Sequence, residues 1–235
     1  MPYTDSEIER LELAIDAINA QPLDFVVHLG DIGSSAQACN DEWLAARQRQ
    51  FERIRHRFVL VPGDNEWSDC RQPMERLAAW RSRFCSPTLK VERQKGMYCE
   101  HVRWQAGGYV FVVLNVPGSN NHLRHPEHAP RMRAVLAWLD EAAALAAGRD
   151  GLVILIQANP FVTFPRDGYG ALRQNLKTLG ERMPGRVVLA HGDTHVYRDD
   201  EPLPGLRRIE VWGSPFVAWL RGAIAGGRLS VESGR

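Results

Sequence analysis

The chain carries no excess of either charge. Its 29 Lys and Arg residues offset 28 Asp and Glu residues, leaving +1 over 235 residues. No net field favours a polyanion or an anionic membrane surface, so no nucleic-acid partner is expected. Long hydrophobic runs are also missing. The longest apolar stretches are far shorter than the roughly twenty residues a membrane-spanning helix needs, so no membrane partner is expected. There is no internal repeat, no low-complexity linker and no shift of composition along the chain. A single domain over residues 1–235, with a sizeable core, is therefore expected. Nothing at the opening reads as a signal segment. Localisation stays open between the cytoplasm, as the sequence is written, and export if a signal segment precedes Met1. The four cysteines, Cys39, Cys70, Cys85 and Cys99, lack the short spacings of a zinc site. Plain buried thiols are the simpler reading. Cys39 and Cys70, each just beyond a candidate site loop, are the pair an oxidising compartment would join.

Strands and helices alternate along the chain. Thr4-Asp5-Ser6-Glu7 has the form of a capping box. Ile8, Leu11, Ala14, Ile15 and Ile18 then recur at helical spacing, which predicts a helix over 5–20 ended by Gln21-Pro22. The run FVVHL over 25–29 is rich in β-branched residues and predicts a buried strand. Helices are expected over 41–54, 73–84 and 131–147. Strands are expected over 58–61, 152–156 and 186–190, with a hairpin of 102–105 and 109–115 joined by Gly107-Gly108. The tail alternates strands over 196–198, 206–211 and 216–220 with turns. This pattern argues for a layered α/β fold.

Four apolar strands end in polar residues. FVVHL is followed by Gly30-Asp31, and FVLVP by Gly63-Asp64-Asn65-Glu66. LVILI is followed by Gln157-Ala158-Asn159-Pro160, and RVVLA by His191-Gly192-Asp193-Thr194-His195. Ligands of open α/β sheets bind outside the carboxyl ends of strands, so these loops are expected to meet in one crevice. Carboxylates, amides and histidines are the donors that hard or borderline divalent metals take. A cation there would make clustered acids tolerable and hold a phosphate.

Taken in order, Gly30-Asp31, Gly63-Asp64-Asn65-Glu66, the strand-end Ala158-Asn159-Pro160 and Gly192-Asp193-Thr194-His195 resemble the motif series of the calcineurin-like metallophosphoesterase superfamily. The segments PGDNEW and HGDTH closely resemble those of a divergent bacterial subgroup. The resemblance implies an α/β/β/α sandwich, a site for divalent metal ions (manganese, iron or zinc) and hydrolysis of a small-molecule phosphate ester. Residue by residue, it makes Asp31 the metal-bridging aspartate. Asp64 stands in place of a ligand asparagine, Asp193 in place of a ligand histidine, and His195 keeps the second histidine of its motif. Asn65 occupies the place of the histidine that assists the leaving group, although an amide cannot donate a proton as an acid. His191, beside the last motif, is the other residue expected to serve catalysis. Ala158 stands where a ligating histidine is usual, so one metal ion or none is an admissible complement. The first motif, Asp-Xaa-His at the end of a first strand, has no counterpart here, and Pro2-Tyr3 resembles its last trace. The fold is therefore expected to lack its first central strand. Pairing in a homodimer or a shifted sheet order would compensate the open ladder.

Each candidate also has a plainer reading. Asp31 serves equally as a turn residue or helix cap, and Asp64 and Glu66 as acceptors of turn amides. His28 reads as a core histidine. Asn115 is either aimed at the crevice or an Asx-turn residue. Ser119 to His128 reads as a solvated or substrate-facing loop, and Arg198 as a phosphate contact or a surface ion pair. Two functions follow: a phosphate-ester hydrolase, or a degenerate relative that binds a ligand or partner without turnover.

Overall fold

The computed structural model describes residues 2–86 and 89–234. The elements are α1 (Asp5–Asn19), β1 (Phe25–His28), α2 (Ser35–Ala38), α3 (Asp41–Phe51), β2 (Arg57–Leu60), α4 (Pro73–Phe84), β3 (Glu92–Arg93), β4 (Val102–Ala106) and β5 (Tyr109–Val113). They continue with α5 (Gly118–Asn121), α6 (His128–Ala146), β6 (Gly151–Leu155), α7 (Gly170–Arg182), β7 (Val187–His191), β8 (Arg198–Leu203), β9 (Leu206–Glu210), β10 (Trp219–Ala225) and β11 (Arg228–Gly234).

Local chemistry accounts for several boundaries. Thr4 Oγ1 accepts from Glu7 N at 3.3 Å and starts α1. The returning arm of the expected capping box is displaced by one residue, because Glu7 Oε2 accepts from Tyr3 N at 2.6 Å. Asn40 Oδ1 caps α3 through Glu42 N at 2.7 Å. Pro73 opens α4, where its missing N–H costs nothing. The helix α7 was not anticipated, although Leu172, Leu176 and Leu179 recur at helical spacing and are buried. The last expected strand begins later, at Trp219, and forms a hairpin with β11.

A seven-stranded mixed sheet has the order β3-β4-β5-β6-β7-β9-β8. Its alternating side chains feed two cores. Val112, Ile154 and Leu189 face α6 and α7, meeting Val135, Leu139, Leu172 and Leu176. Phe111, Val153, Leu155 and Val188 face the other way, towards Val59 and Val61 and the half-buried Phe25, Val27, Leu220 and Ile224. Each fully buried aliphatic side chain contributes roughly 1.5–3 kcal/mol. A third cluster of Ile32, Leu44, Phe51, Leu60 and Trp80 seats α3 and α4 against the outer face of the parallel pair β1-β2. The result is an α/β/β/α sandwich. Among the described residues β1 pairs with β2 alone, and β10 with β11 alone.

The reading of the cysteines as plain thiols is corrected. Cys39–Cys70 and Cys85–Cys99 are both disulfides. The first pair was visible as an option because both residues follow site loops. The second depends on the return of the chain from α4 to β4, which spacing alone does not reveal. Both sulfurs of Cys39–Cys70 lie against the Asn65 carbonyl oxygen, at 3.7 and 3.5 Å. The bridge closes 31 residues, a loop length at which cross-linking stabilises by about 3–4 kcal/mol. The double variant Cys39→Ser/Cys70→Ser is expected to lose that amount in denaturant unfolding. An unchanged unfolding midpoint would refute the bridge.

Candidate metal centre

The loops after β1, β2, β6 and β7 do converge. Asp31, Asp64 and Glu66 are buried, with Glu66 wholly inaccessible. Asp31, Asp193 and His195 hold left-handed backbone angles, with φ of 58°, 80° and 62°. That region is uncommon for residues other than glycine. Here it turns each side chain back from its strand end towards the crevice.

The acids form a row. Gln157 Nε2 donates to Asp31 Oδ2 at 3.0 Å and to Asp64 Oδ1 at 3.1 Å. Gln157 Oε1 accepts from Gly118 N at 2.5 Å. Glu66 Oε1 accepts from Asp31 N at 3.1 Å and Gly63 N at 2.9 Å. Asp193 Oδ2 accepts from Asn159 N at 2.8 Å. Two glycines show how close the row is. A Cβ on Gly118 would sit 2.5 Å from Asp64 Oδ2 and 2.7 Å from Asp193 Oδ1. A Cβ on Gly63 would sit 2.2 Å from Asp31 Oδ1 and 3.0 Å from Glu66 Oε2. Glycine at these places leaves a cradle between carboxylates that any larger residue would fill.

The electrostatics are unfavourable for anions alone. No Lys or Arg among the described residues forms an ion pair with Asp64, Glu66 or Asp193. Burial, with Asp64 as neighbour, pushes Asp31 well above the usual carboxylate range. Burial raises Glu66 to about 7 and Asp193 to about 6. Asp69, 2.9 Å from the Ser119 hydroxyl that also reaches Asp64, is raised by burial and by Asp64. Glu66 Oε2 has no hydrogen-bond partner among the described residues. A buried run of like charges with an orphaned oxygen is costly unless a cation neutralises it. The donor set, oxygens with an imidazole at hand, fits a divalent metal.

His195 borders the same cavity as Asp31 and Asp193. Its Nδ1–H donates to Ser214 O at 2.9 Å, which leaves Nε2 with the lone pair. The ring meets Tyr3 edge-on at 5.7 Å. Tyr3 Oη in turn accepts from Asn65 Nδ2 at 2.9 Å, and Asn65 N donates to Asp31 Oδ1 at 3.4 Å. Asn65 is thus beside the row. His191 is not joined to it. The strand alternation turns His191 to the face shared with Leu189, near Glu210 and Arg208. There its Nδ1–H donates to Gly192 O at 2.8 Å, and burial lowers it to about 4. Asn115 donates to Glu100, away from the crevice, and Arg198 is held by Glu210. Gln157, the residue that ties Asp31 to Asp64, was seen in the sequence only as one polar strand end among several. Its position straight after a buried strand was the available signal.

Residues 4–197 match the family model described as calcineurin-like phosphoesterase. A crystal structure of a dimetal phosphatase from Danio rerio is similar in fold, with a TM-score of 0.65 and 15% identity. The match covers 98% of this chain and 87% of that one. No curated protein matches in sequence.

The raised carboxyls set a pH dependence. In the unfolded chain Asp193 and Glu66 ionise near 3.8 and 4.5, whereas in the fold they ionise near 6 and 7. The folded state therefore holds more protons across this window, and stability falls as pH rises through it. Chelator-treated protein is expected to show a falling Tm between about pH 4 and 7, with added Mn2+ reversing the loss at pH 7. A Tm that rises over that range would contradict the arrangement.

Proposed function

We propose that this chain, which belongs to the calcineurin-like phosphoesterase family, hydrolyses small-molecule phosphate esters with divalent metal held by its carboxylate row. The observation that carries the reading is the convergence of Asp31, Asp64 and Asp193 on a cradle left open by Gly63 and Gly118. Asp31, Asp64, Asp193 and Nε2 of His195 are the residues that would hold the metal. When bound, it supplies charge neutralisation, polarisation of the phosphoryl oxygens and a more acidic water.

The remaining steps belong to side chains already in place. Gln157 fixes the separation of Asp31 and Asp64 through two hydrogen bonds from one nitrogen. Glu66, by accepting from the backbones of Asp31 and Gly63, locks the turn that aims Asp31. Asn65 holds the Tyr3 hydroxyl at the rim. His191 positions the Gly192-Asp193 turn through its bond to Gly192 O. Asn65 has no proton to give a departing alkoxide, and His191 is turned away from the row. Esters whose leaving groups depart without protonation, such as aryl phosphates, are therefore the favoured substrates. The two disulfides suit an oxidising compartment, and residues 1–235 are read as one domain.

The second reading, a ligand-binding relative without turnover, is favoured by the same Asn65, which has no acidic proton to give, and by Ala158, which has no donor atom for a metal. Protein stripped with chelator and reloaded with Mn2+ separates the two. Hydrolysis of p-nitrophenyl phosphate and its bis ester is expected, with stoichiometric metal by plasma mass spectrometry. Asp31→Asn and Asp64→Asn are expected to lower kcat/KM on the order of 10³-fold and to reduce retained metal, whereas Lys177→Ala on the exposed face of α7 is expected to leave both unchanged. Alkyl phosphates are expected to react far more slowly than aryl ones. No retained metal and no turnover would select the binding reading.

A further inference from the structure

The carboxylate row uses only the first residues of the loop after β5, Gly118 and Ser119. The rest of that loop carries His122, His125 and His128. Its backbone is unusual. Ser119, Asn120, Asn121 and His122 are all left-handed, with φ of 47°, 57°, 56° and 53°. Residues with a side chain visit this region singly as a rule, so a run of them is strained. Side chains hold the run in place. Asn120 Nδ2 donates to Arg166 O at 2.8 Å, Asn121 Nδ2 donates to Gly168 O at 2.8 Å, and Asn121 Oδ1 accepts from Arg131 Nη1 at 2.7 Å. One end of the turn meets the acids, where Ser119 Oγ lies 3.0 Å from Asp64 Oδ2 and 2.9 Å from Asp69 Oδ2. The other end delivers His122 to a second cluster of donors.

His122, His125 and Glu127 each bring a ligand atom within 4.8 Å of the other two. Nδ1 of His122 lies 2.9 Å from Glu127 Oε1. Two ligands at right angles on one zinc ion are also roughly 2.9 Å apart, given bonds of about 2.0–2.1 Å. The His125 ring lies nearly parallel to that of His122, with centroids 4.5 Å apart, and its Nδ1 accepts from Glu127 N at 3.2 Å. Both rings therefore turn Nδ1 towards Glu127. Trp67 meets the His122 ring edge-on at 5.4 Å. Arg131 fixes the carboxylate from behind, with Nε donating to Oε2 at 2.8 Å and Nη2 to Oε1 at 3.1 Å. Its charge offsets that of Glu127, so the attraction of the cluster rests on the imidazoles, which suit zinc-like ions better than calcium or magnesium. His128 is engaged elsewhere, with Nε2 facing Asn121 Nδ2 at 3.3 Å and Gly168 O at 3.4 Å. The comparable group of Cys85, Cys99 and Glu100 has its sulfurs in a disulfide.

We propose that His122, His125 and Glu127 form a site for one borderline divalent cation, zinc before other first-row ions, with a fourth position open to water. The site is separate from the carboxylate row and does not rest on metal being held there. Binding displaces the proton of His122 Nδ1 and takes up the lone pair that His125 Nδ1 now offers to Glu127 N. The ion clips the end of the left-handed turn to the residue before α6, and so holds Ser119 against Asp64 and Asp69.

The test uses Co2+, whose visible absorption reports nitrogen ligation, on chelator-treated full-length protein carrying Asp31→Asn and Asp64→Asn to weaken the row. One Co2+ per chain is expected at micromolar concentration, displaced by an equivalent of Zn2+. Zn2+ is expected to shift the imidazole NMR signals of His122 and His125 and to leave those of His28 and His56 in place. His122→Gln and His125→Gln, added singly, are each expected to weaken Co2+ binding by about tenfold or more without changing the circular dichroism; two variants guard against one that misfolds. The chain with Asp31 and Asp64 intact, measured alongside, reads the row by the extra metal it retains, so failure of the phosphoesterase reading is seen separately. No bound Co2+, binding that appears only at millimolar concentration, binding that survives both histidine variants, or a shift of His195 in place of His122 and His125 would each overturn the proposal.

Discussion

The constraint on which the site depends is the cost of burying several carboxylates where, among the described residues, no arginine or lysine pairs with Asp64, Glu66 or Asp193. The chain meets part of that cost with dipoles. Gln157 shares one amide nitrogen between Asp31 and Asp64, and the backbones of Gly63, Asp31 and Asn159 feed Glu66 and Asp193. Those bonds fix where the oxygens sit without supplying positive charge. Burial, with the neighbouring Asp64 adding to it, displaces Asp31, Glu66 and Asp193 upward. The donor set so arranged fits a cation, because hydrogen bonds hold several carboxylate oxygens close together.

The scaffold explains why these groups meet. Parallel strands deliver their carboxyl ends to one side of a layer, so loops more than a hundred residues apart in sequence share a crevice. The left-handed angles at Asp31, Asp193 and His195 complete the aim. They cost backbone strain that the surrounding hydrogen bonds, such as those of Asp31 N to Glu66 and Asn159 N to Asp193, hold in place. The same layered construction leaves a slot between β1 and β10. Among the described residues each of these strands has a ladder partner on one side only, and the apolar walls make the gap between them a poor place for water.

Much of the fold was legible in the sequence because its signals are local. A Thr4 cap, a Pro73 helix start, FVVHL-type runs and a Gly107-Gly108 turn act over a few residues. The elements they announce stand where they were read, within a few positions. The unread helix α7 follows a polar, proline-bearing stretch and has a sparse leucine stripe, so its pattern becomes decisive only when packed against Leu206 and Met183. The candidate acids were legible as strand-end residues, and Asp31, Asp64, Asn65 and Asp193 do gather. His191 is the instructive exception. It is next but one to Asp193, yet β7 ends at His191 and the left-handed backbone at Asp193 breaks the alternation, so the two side chains part company, and a list of nearby residues carries no record of where a strand stops.

Sequence alone determined the alternation of elements, the absence of a membrane-spanning run and the supply of oxygen and nitrogen donors at strand ends. These follow from side-chain type and periodicity within short windows. Tertiary structure alone decided the pairing of all four cysteines, the role of Gln157 between two acids and the direction of each histidine. It alone showed that, among the described residues, β1 pairs with β2 alone and β10 with β11 alone. All of these depend on distances between segments remote in the chain, and such distances are set by how the two cores pack the layers together.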